Sequence, residues 1–164
     1  GNMESYGILD AMGLTSRIVL DANIYTMNNR AEAFWMKKGI LGDTVPLELN
    51  AKELVHRNNK NSELTVYGYT PMMVSVQCVQ KTMDHCNHAC VQYVLKDRYQ
   101  KEFHGVCSCE FCYNTIYNTL PTSLLKEKEK AEKLGVKAYR LSFTTETQQE
   151  TEKIVRSHLP CTNR

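Results

Sequence analysis

Apolar side chains along this chain gather in short runs rich in β-branched and aromatic residues, separated by stretches with helical periodicity. Residues 17–21 (RIVLD), continued over 24–26, predict the first strand. Asn29 and Glu32 stand at capping-box spacing and open a helix that Gly39 ends. Residues 45–49 (VPLEL) predict the next strand, and a second capping box, Asn50 with Glu53, starts a helix reaching Asn58. Residues 64–69 (LTVYGY) form a third strand before the pattern breaks. It resumes with a strand at 115–117, a helix over 122–134 stopped by Gly135, a strand over 138–143, and a helix over 145–158 led by Thr145 and Gln148.

Strand–helix repetition with short connections predicts an α/β fold, a parallel sheet with helices over its faces. Right-handed crossovers leave an open doubly wound sheet or a (β/α) barrel. Neither a GxGxxG nor a P-loop string follows any expected strand, which removes support from nucleotide-binding versions. In a barrel, function sits where strands end and βα loops begin, which brings forward Asp21, Glu48, Asn50, Tyr67, Tyr69, Asn118 and Thr144. Each has a bland competitor: Asn50 as a helix cap, Tyr67 and Tyr69 as packed aromatics. About five strands and four helices are too few for a closed barrel of eight. Either the sheet is open, or the chain is a piece of something larger.

Composition changes this picture little. The 164 residues are 42% hydrophobic and 23% charged, with a formal charge of +2. That balance makes no electrostatic case for nucleic acid, and the charge run at 126–133 (KEKEKAEK) reads as a solvated helix face. No stretch approaches the roughly 20 apolar residues of a membrane span, so no membrane partner is expected. The N-terminus lacks a basic start followed by an apolar region, and Gly1-Asn2 ahead of Met3 looks like the remnant of a tag. The expected location is cytoplasmic.

The candidate chemistry lies in the cysteines. There are seven, six of them between Cys78 and Cys112, with His85, His88 and His104 interleaved. Thiolates crowded in this way bind soft metals, pair as disulfides or do redox chemistry. An odd count and a reducing compartment weaken the disulfide reading. By spacing alone, Cys86 with Cys90 and Cys109 with Cys112 form two pairs separated much as in zinc ribbons. Four such thiolates suit zinc or an iron–sulfur cluster equally. Against this stand free cysteines filling core positions and dithiol exchange at the CxxC, where the flanking context of thioredoxins is missing. A cysteine nucleophile with a histidine base is a further reading, but no one pair stands out.

Residues 66–78, VYGYTPMMVSVQC, resemble the collagenase-like peptidase family (peptidase U32), in which such a strand and turn lead into a cysteine region. Further segments are similar to that family: Tyr25 with Asn28 and Ala31, residues 46–50 (PLELN) with Glu53 and Leu54, residues 95–98 (LKDR) with Phe103, and residues 112–118 (CYNTIYN). The likeness covers residues 17–150.

The resemblance implies a (β/α) barrel-like core and four cysteines holding an iron–sulfur cluster, a 4Fe-4S cluster with zinc as the alternative. Carried over position by position, the ligands are Cys78, Cys86, Cys109 and Cys112, with Cys90 and Cys107 as alternates and Cys161 a tail thiol. Family chains are longer, so this one corresponds to the C-terminal half of the barrel. The expectation is a partial (β/α) TIM-like barrel with a cysteine-rich insertion, completed by a second copy as a homodimer or by a companion chain. Its parts are an N-terminal segment with the tag remnant (1–16), the family-like domain (17–158) with the cysteine-rich segment at 76–113, and a tail (159–164).

The family was named for proteolysis of collagen, while other members resemble oxygen-independent hydroxylases of RNA bases or quinone precursors, with prephenate implicated as oxygen donor for RNA. A cysteine-held cluster suits redox chemistry, and no nucleophile–base–orienter set or HExxH-type motif supports hydrolysis. The leading expectation is therefore a redox enzyme module that hydroxylates an RNA base or a quinone precursor. The alternatives are a collagenase-like peptidase acting on peptides and a non-enzymatic, zinc-stabilised binding module. Glu48, Asn50 and Tyr67 are the candidates to line a pocket beside the cluster.

Overall fold

The structure is a computed structural model and describes residues 1–83, 86 and 88–158. His85, Cys161 and the tail at 159–164 lie outside the described residues. In chain order the strands are β1 (Val19–Leu20), β2 (Gly42–Thr44), β3 (Ser62–Gly68), β4 (Pro71–Ser75), β5 (Gln92–Lys96), β6 (Glu102–Ser108), β7 (Tyr113–Tyr117), β8 (Thr122–Ser123) and β9 (Ala138–Ser142). The helices are α1 (Met3–Ala11), α2 (Asn29–Lys37), α3 (Ala51–Leu54), α4 (Val79–Met83), α5 (Lys128–Lys133) and α6 (Gln148–His158). The chain divides into two units, residues 1–66 with 124–141, and residues 67–123 with 142 onward.

In the first unit β1, β2 and β3 run parallel, with Val19 opposite Gly42 and Asp43 opposite Ser62. β9 also pairs with β3. This is the α/β class that the alternation predicts; among the described residues the strands close no barrel. The apolar positions that set the sequence period fill two cores. Val45, Leu54, Leu64, Val66 and Ala131 are buried together. Ile18, Leu20, Trp35 and Ile40 form the other, with Tyr6 and Leu9 of α1 against it. Each large side chain taken fully out of water contributes about 1.5–3 kcal/mol. Gly42 opens β2 because a Cβ there would stand 2.1 Å from the Asn61 carbonyl oxygen.

A buried ion pair ties these strands to the loop after α3. The side chains of Arg57 and Asp43 are only 2% and 4% exposed. Arg57 Nε donates to the Thr26 carbonyl at 2.9 Å, Nη1 to Asn59 Oδ1 at 3.0 Å and Ser62 Oγ at 2.9 Å, and Nη2 to Thr26 Oγ1 at 3.1 Å and to the Asp43 carboxylate. Ser62 Oγ donates in turn to Asp43 Oδ1 at 2.6 Å. Every nitrogen of the guanidinium fork is thereby satisfied.

Several expected boundaries move, each for a local reason. Residues 24–26 are not a strand: a 3-10 turn over Ala22–Ile24 intervenes, with Asp21 accepting from the Ala22 amide and Tyr25 left-handed at φ 56°. The cap of α2 is Asn28, whose side chain accepts from the amides of Arg30 and Ala31. The strand expected at 45–49 ends at Thr44. Pro46 brings no N–H to a ladder, and the chain turns there, with the Leu49 amide donating to the Pro46 carbonyl at 3.3 Å. The Asn50–Glu53 capping box is present as expected, although α3 is a single turn. The helix expected over 122–134 is divided into β8, a 3-10 turn and α5. The start of α6 is fixed by Thr147 and Glu150, not by Thr145 and Gln148, with the Thr147 amide donating to Glu150 Oε2 at 2.8 Å.

The second unit departs most from the expected alternation. Its sheet runs β4-β7-β6-β5 and is antiparallel throughout, so the strand expected at 115–117 is one rung of a meander. β8 pairs antiparallel with the end of β3, Ser123 opposite Tyr67. Among the described residues no helix is long and apolar enough to cross a membrane.

Candidate metal centre

The two-residue period of β6 places the site. Gly105, Cys107 and, one step beyond the strand, Cys109 are buried while their neighbours Val106 and Ser108 are only half-buried. Cys107 pairs with Asn114 of β7, which pairs with Ser75 of β4. Gly105 pairs with Tyr93 of β5 on one side and Ile116 of β7 on the other. Beyond β4 the chain passes through Gln77 and Cys78 into α4, held down by Asn114 Nδ2 donating to the Gln77 carbonyl at 2.7 Å.

These elements enclose a hollow of about 640 Å³ lined by Cys78, Cys86, Cys107, Cys109 and Cys112, with His88. Cys90 is exposed and does not line it. The sulfurs of Cys107 and Cys109 are 3.3 Å apart. Cys107 and Cys86 lie close enough to Cys78, and Cys86 to Cys109, to act on the acidity of Cys78 and Cys109. Cys112 reaches the same group from the turn after Cys109, its Sγ 3.7 Å from the Cys109 carbonyl. Among the described residues no three thiol, imidazole or carboxylate groups converge on one point, so gathering them around an ion takes side-chain rotation.

The surroundings treat these thiols unequally. The Lys81 amide, helped by the Cys107 thiol, the Gln80 amide and Cys86, holds Cys78 below its ordinary value. Cys107 is 1% exposed, and burial, then its contacts with Cys109 and Cys78, push its thiol up to about 12. Cys107 thus stays a neutral thiol beside the Cys109 sulfur, with one S–H to give. Its hydrogen bond is the largest influence on Cys109 and lowers it, but burial and the charges of Cys86 and Cys90 carry the net change upward. Cys109 Sγ also donates to the Ala89 carbonyl at 2.8 Å, and Cys86 Sγ accepts from the His88 amide at 3.4 Å. His88 and Cys112 both hold left-handed backbone, at φ 55° and 53°, a strain that in non-glycine residues collects at functional sites.

One glycine in this sheet is needed for space. A Cβ on Gly105 would stand 2.3 Å from the ring of Tyr93. Gly105→Ala therefore forces ring or strand to move and costs about 1–3 kcal/mol, read as a lower urea midpoint.

Of the residues singled out from sequence, Cys78, Cys86, Cys109 and Cys112 share the hollow, and Cys107 joins them. Glu48 and Asn50 belong to the first unit. Glu48 is exposed on the turn after Pro46, and the Asn50 side chain is used as the cap of α3. Tyr67 lies in the second unit at 6% exposure, its ring centroid 5.6 Å from that of Phe143. Burial first, then its hydrogen bond to Glu146, raises the Tyr67 hydroxyl well above its ordinary value. Tyr93 is not singled out by sequence reading, and Asn114 enters it only within the 112–118 segment, not as a site residue.

No known protein-family pattern, curated protein or solved structure matches the chain.

Proposed function

We propose that this chain is the iron–sulfur redox module of a collagenase-like peptidase family enzyme, its cluster held in the hollow of the second unit. The observation that carries this reading is five thiols lining one hollow, from strand β6, from both sides of α4 and from the turn after β6. The donor set fits the group: it is all sulfur, soft, and supplied with backbone amides aimed at Cys78 and Cys86. Cys78, Cys86, Cys109 and Cys112 would hold the cluster, with Cys107 beside them as a buried S–H donor. When bound, such a cluster transfers single electrons at a potential set by burial and by hydrogen bonds to its sulfurs. Cys107 and Cys109 keep one side of the site dry, and Asn114 fixes the Gln77 backbone from which Cys78 projects.

The substrate class that accompanies this reading is an RNA base or quinone precursor whose C–H becomes C–OH, with oxygen taken from a co-substrate. The parallel strands of the first unit would belong to a larger (β/α) barrel completed by a companion chain or a second copy. A reducing compartment such as the cytoplasm suits free thiols. Zinc is the second reading, because four thiolates serve a tetrahedral ion equally well. A peptidase would draw on Cys78, whose lowered thiol has the character of a nucleophile.

The test is protein purified without oxygen, wild type beside Cys109→Ala, assayed for visible absorbance and metal content. The expected result is brown protein with about four irons per chain, lost in the variant. Colourless protein with stoichiometric zinc favours the binding module. Metal-free protein whose peptide cleavage is abolished by Cys78→Ser returns the peptidase.

A further inference from the structure

Tyr93 carries a hydroxyl that the fold removes from water, with no hydrogen-bond partner among the described residues. Such groups are costly, and folded proteins keep few of them. The ring is not free to swing out. It pairs across the sheet with Gly105 and lies where that residue's Cβ would be, with ring atoms at 2.3 Å. Cys107 stands two residues further along the same strand, on the same face of the sheet. The hydroxyl oxygen itself lies 2.7 Å from that Cβ position, over Gly105 and two residues short of Cys107 in the same row of the strand. Its own environment agrees: burial, then the charges of Cys107 and Cys78, raise its pKa.

A second hollow, of about 210 Å³, adjoins this row. Tyr93 and Asn114 line it, and it shares Gln77 and Thr82 with the cysteine hollow. Asn114 Oδ1 also lacks a partner among the described residues. That oxygen can only accept, and the amide nitrogen of the same side chain is committed to Gln77. Of the two unpartnered groups, only the phenol has a proton to give. A neutral thiol accepts a hydrogen bond weakly, whereas a metal-bound thiolate accepts strongly and is tuned by such outer partners.

We propose that Tyr93 is a positioning residue for the metal centre, its hydroxyl donating to the metal-bound sulfur at the Cys78–Cys107 edge of the hollow. This rests on the metal-centre reading above but names a residue outside the ligand set. Tyr93→Phe tests it, since phenylalanine keeps the ring over Gly105 and removes only the hydroxyl. The probe is zinc, titrated into reduced, metal-stripped protein against a chromophoric chelator, with thermal melting followed in both forms. The expected result is zinc binding about 10–100-fold weaker than wild type. The stripped variant should melt at the same temperature as stripped wild type or higher, and the zinc-loaded variant lower than its wild-type counterpart.

Equal zinc affinity in wild type and variant overturns the role of the hydroxyl and leaves the metal centre standing. A variant that also melts lower when stripped shows a packing role and overturns it too. Wild type that takes up neither zinc nor iron removes the metal centre and this role with it.

Discussion

Arg57→Leu destabilises the first unit by about 3–5 kcal/mol, the usual cost of breaking a buried ion pair from one side. The reason is what it leaves behind. Asp43 keeps a carboxylate that is 4% exposed on its side chain, with the hydroxyls of Ser62 and Thr26 as donors and no cation. Thr26 and Asn59 lose a donor at the same time. Against a total folding free energy of about 5–15 kcal/mol, that loss is a large fraction. Trp35 is the only tryptophan of the chain and sits in the apolar core of the same unit, so its fluorescence during urea unfolding reads this unit. The double variant Arg57→Leu with Asp43→Leu should recover a substantial part of the loss, because it removes both charges together. A midpoint for Arg57→Leu no lower than that of an exposed arginine variant would show that the pair does not hold the strands.

Cys112→Ser weakens zinc or iron binding by about a hundredfold or more, whereas Cys107→Ser stays within about tenfold of wild type. The two side chains line the same hollow and differ in what surrounds them. Cys107 is buried in the middle of a strand ladder, with its thiol pushed up to about 12, and its one S–H can donate to a single neighbouring sulfur. Serine preserves that donor. Cys112 ends the turn that begins at Cys109, is exposed, and has room to swing onto a metal. Removing one thiolate from a site whose whole binding energy is about 10–16 kcal/mol forfeits roughly a quarter of it. Metal content after desalting, with competition titrations of each variant, separates the cases. Loss of metal in Cys107→Ser with retention in Cys112→Ser would exchange their roles.

The sequence disclosed what is decided locally. The Asn50–Glu53 capping box is a four-residue signal and is found where it was expected. The cap of α2 slipped from Asn29 to Asn28 because adjacent asparagines offer the same side-chain chemistry, and only the tertiary path selects between them. Pro46 lies in an apolar run that looks like a strand, and the missing N–H that ends the ladder is visible only when the partner strand is known. The antiparallel sheet of the second unit was overlooked for another reason. Its strand β6 carries His104, Gly105 and Cys107 at positions where aliphatic residues usually announce a strand, and the antiparallel pairing is set by contacts between strands and not within them. The cysteine clustering did point to the segment that lines the hollow, although Cys90, paired with Cys86 by spacing, does not line it. It could not tell buried Cys107 from exposed Cys112, since burial is set by the sheet and not by spacing.

The division of the chain also sets an order of events during synthesis. The four-stranded sheet is built from one unbroken stretch, Pro71 to Tyr117, joined mostly by neighbours in sequence. The first unit is assembled from two pieces and waits for β9, which begins only at Ala138. Local contacts form faster than distant ones. A ribosome working from the N-terminus releases Cys78 to Cys112 before it releases β9, so the hollow can gather its thiols on a polypeptide that is still growing.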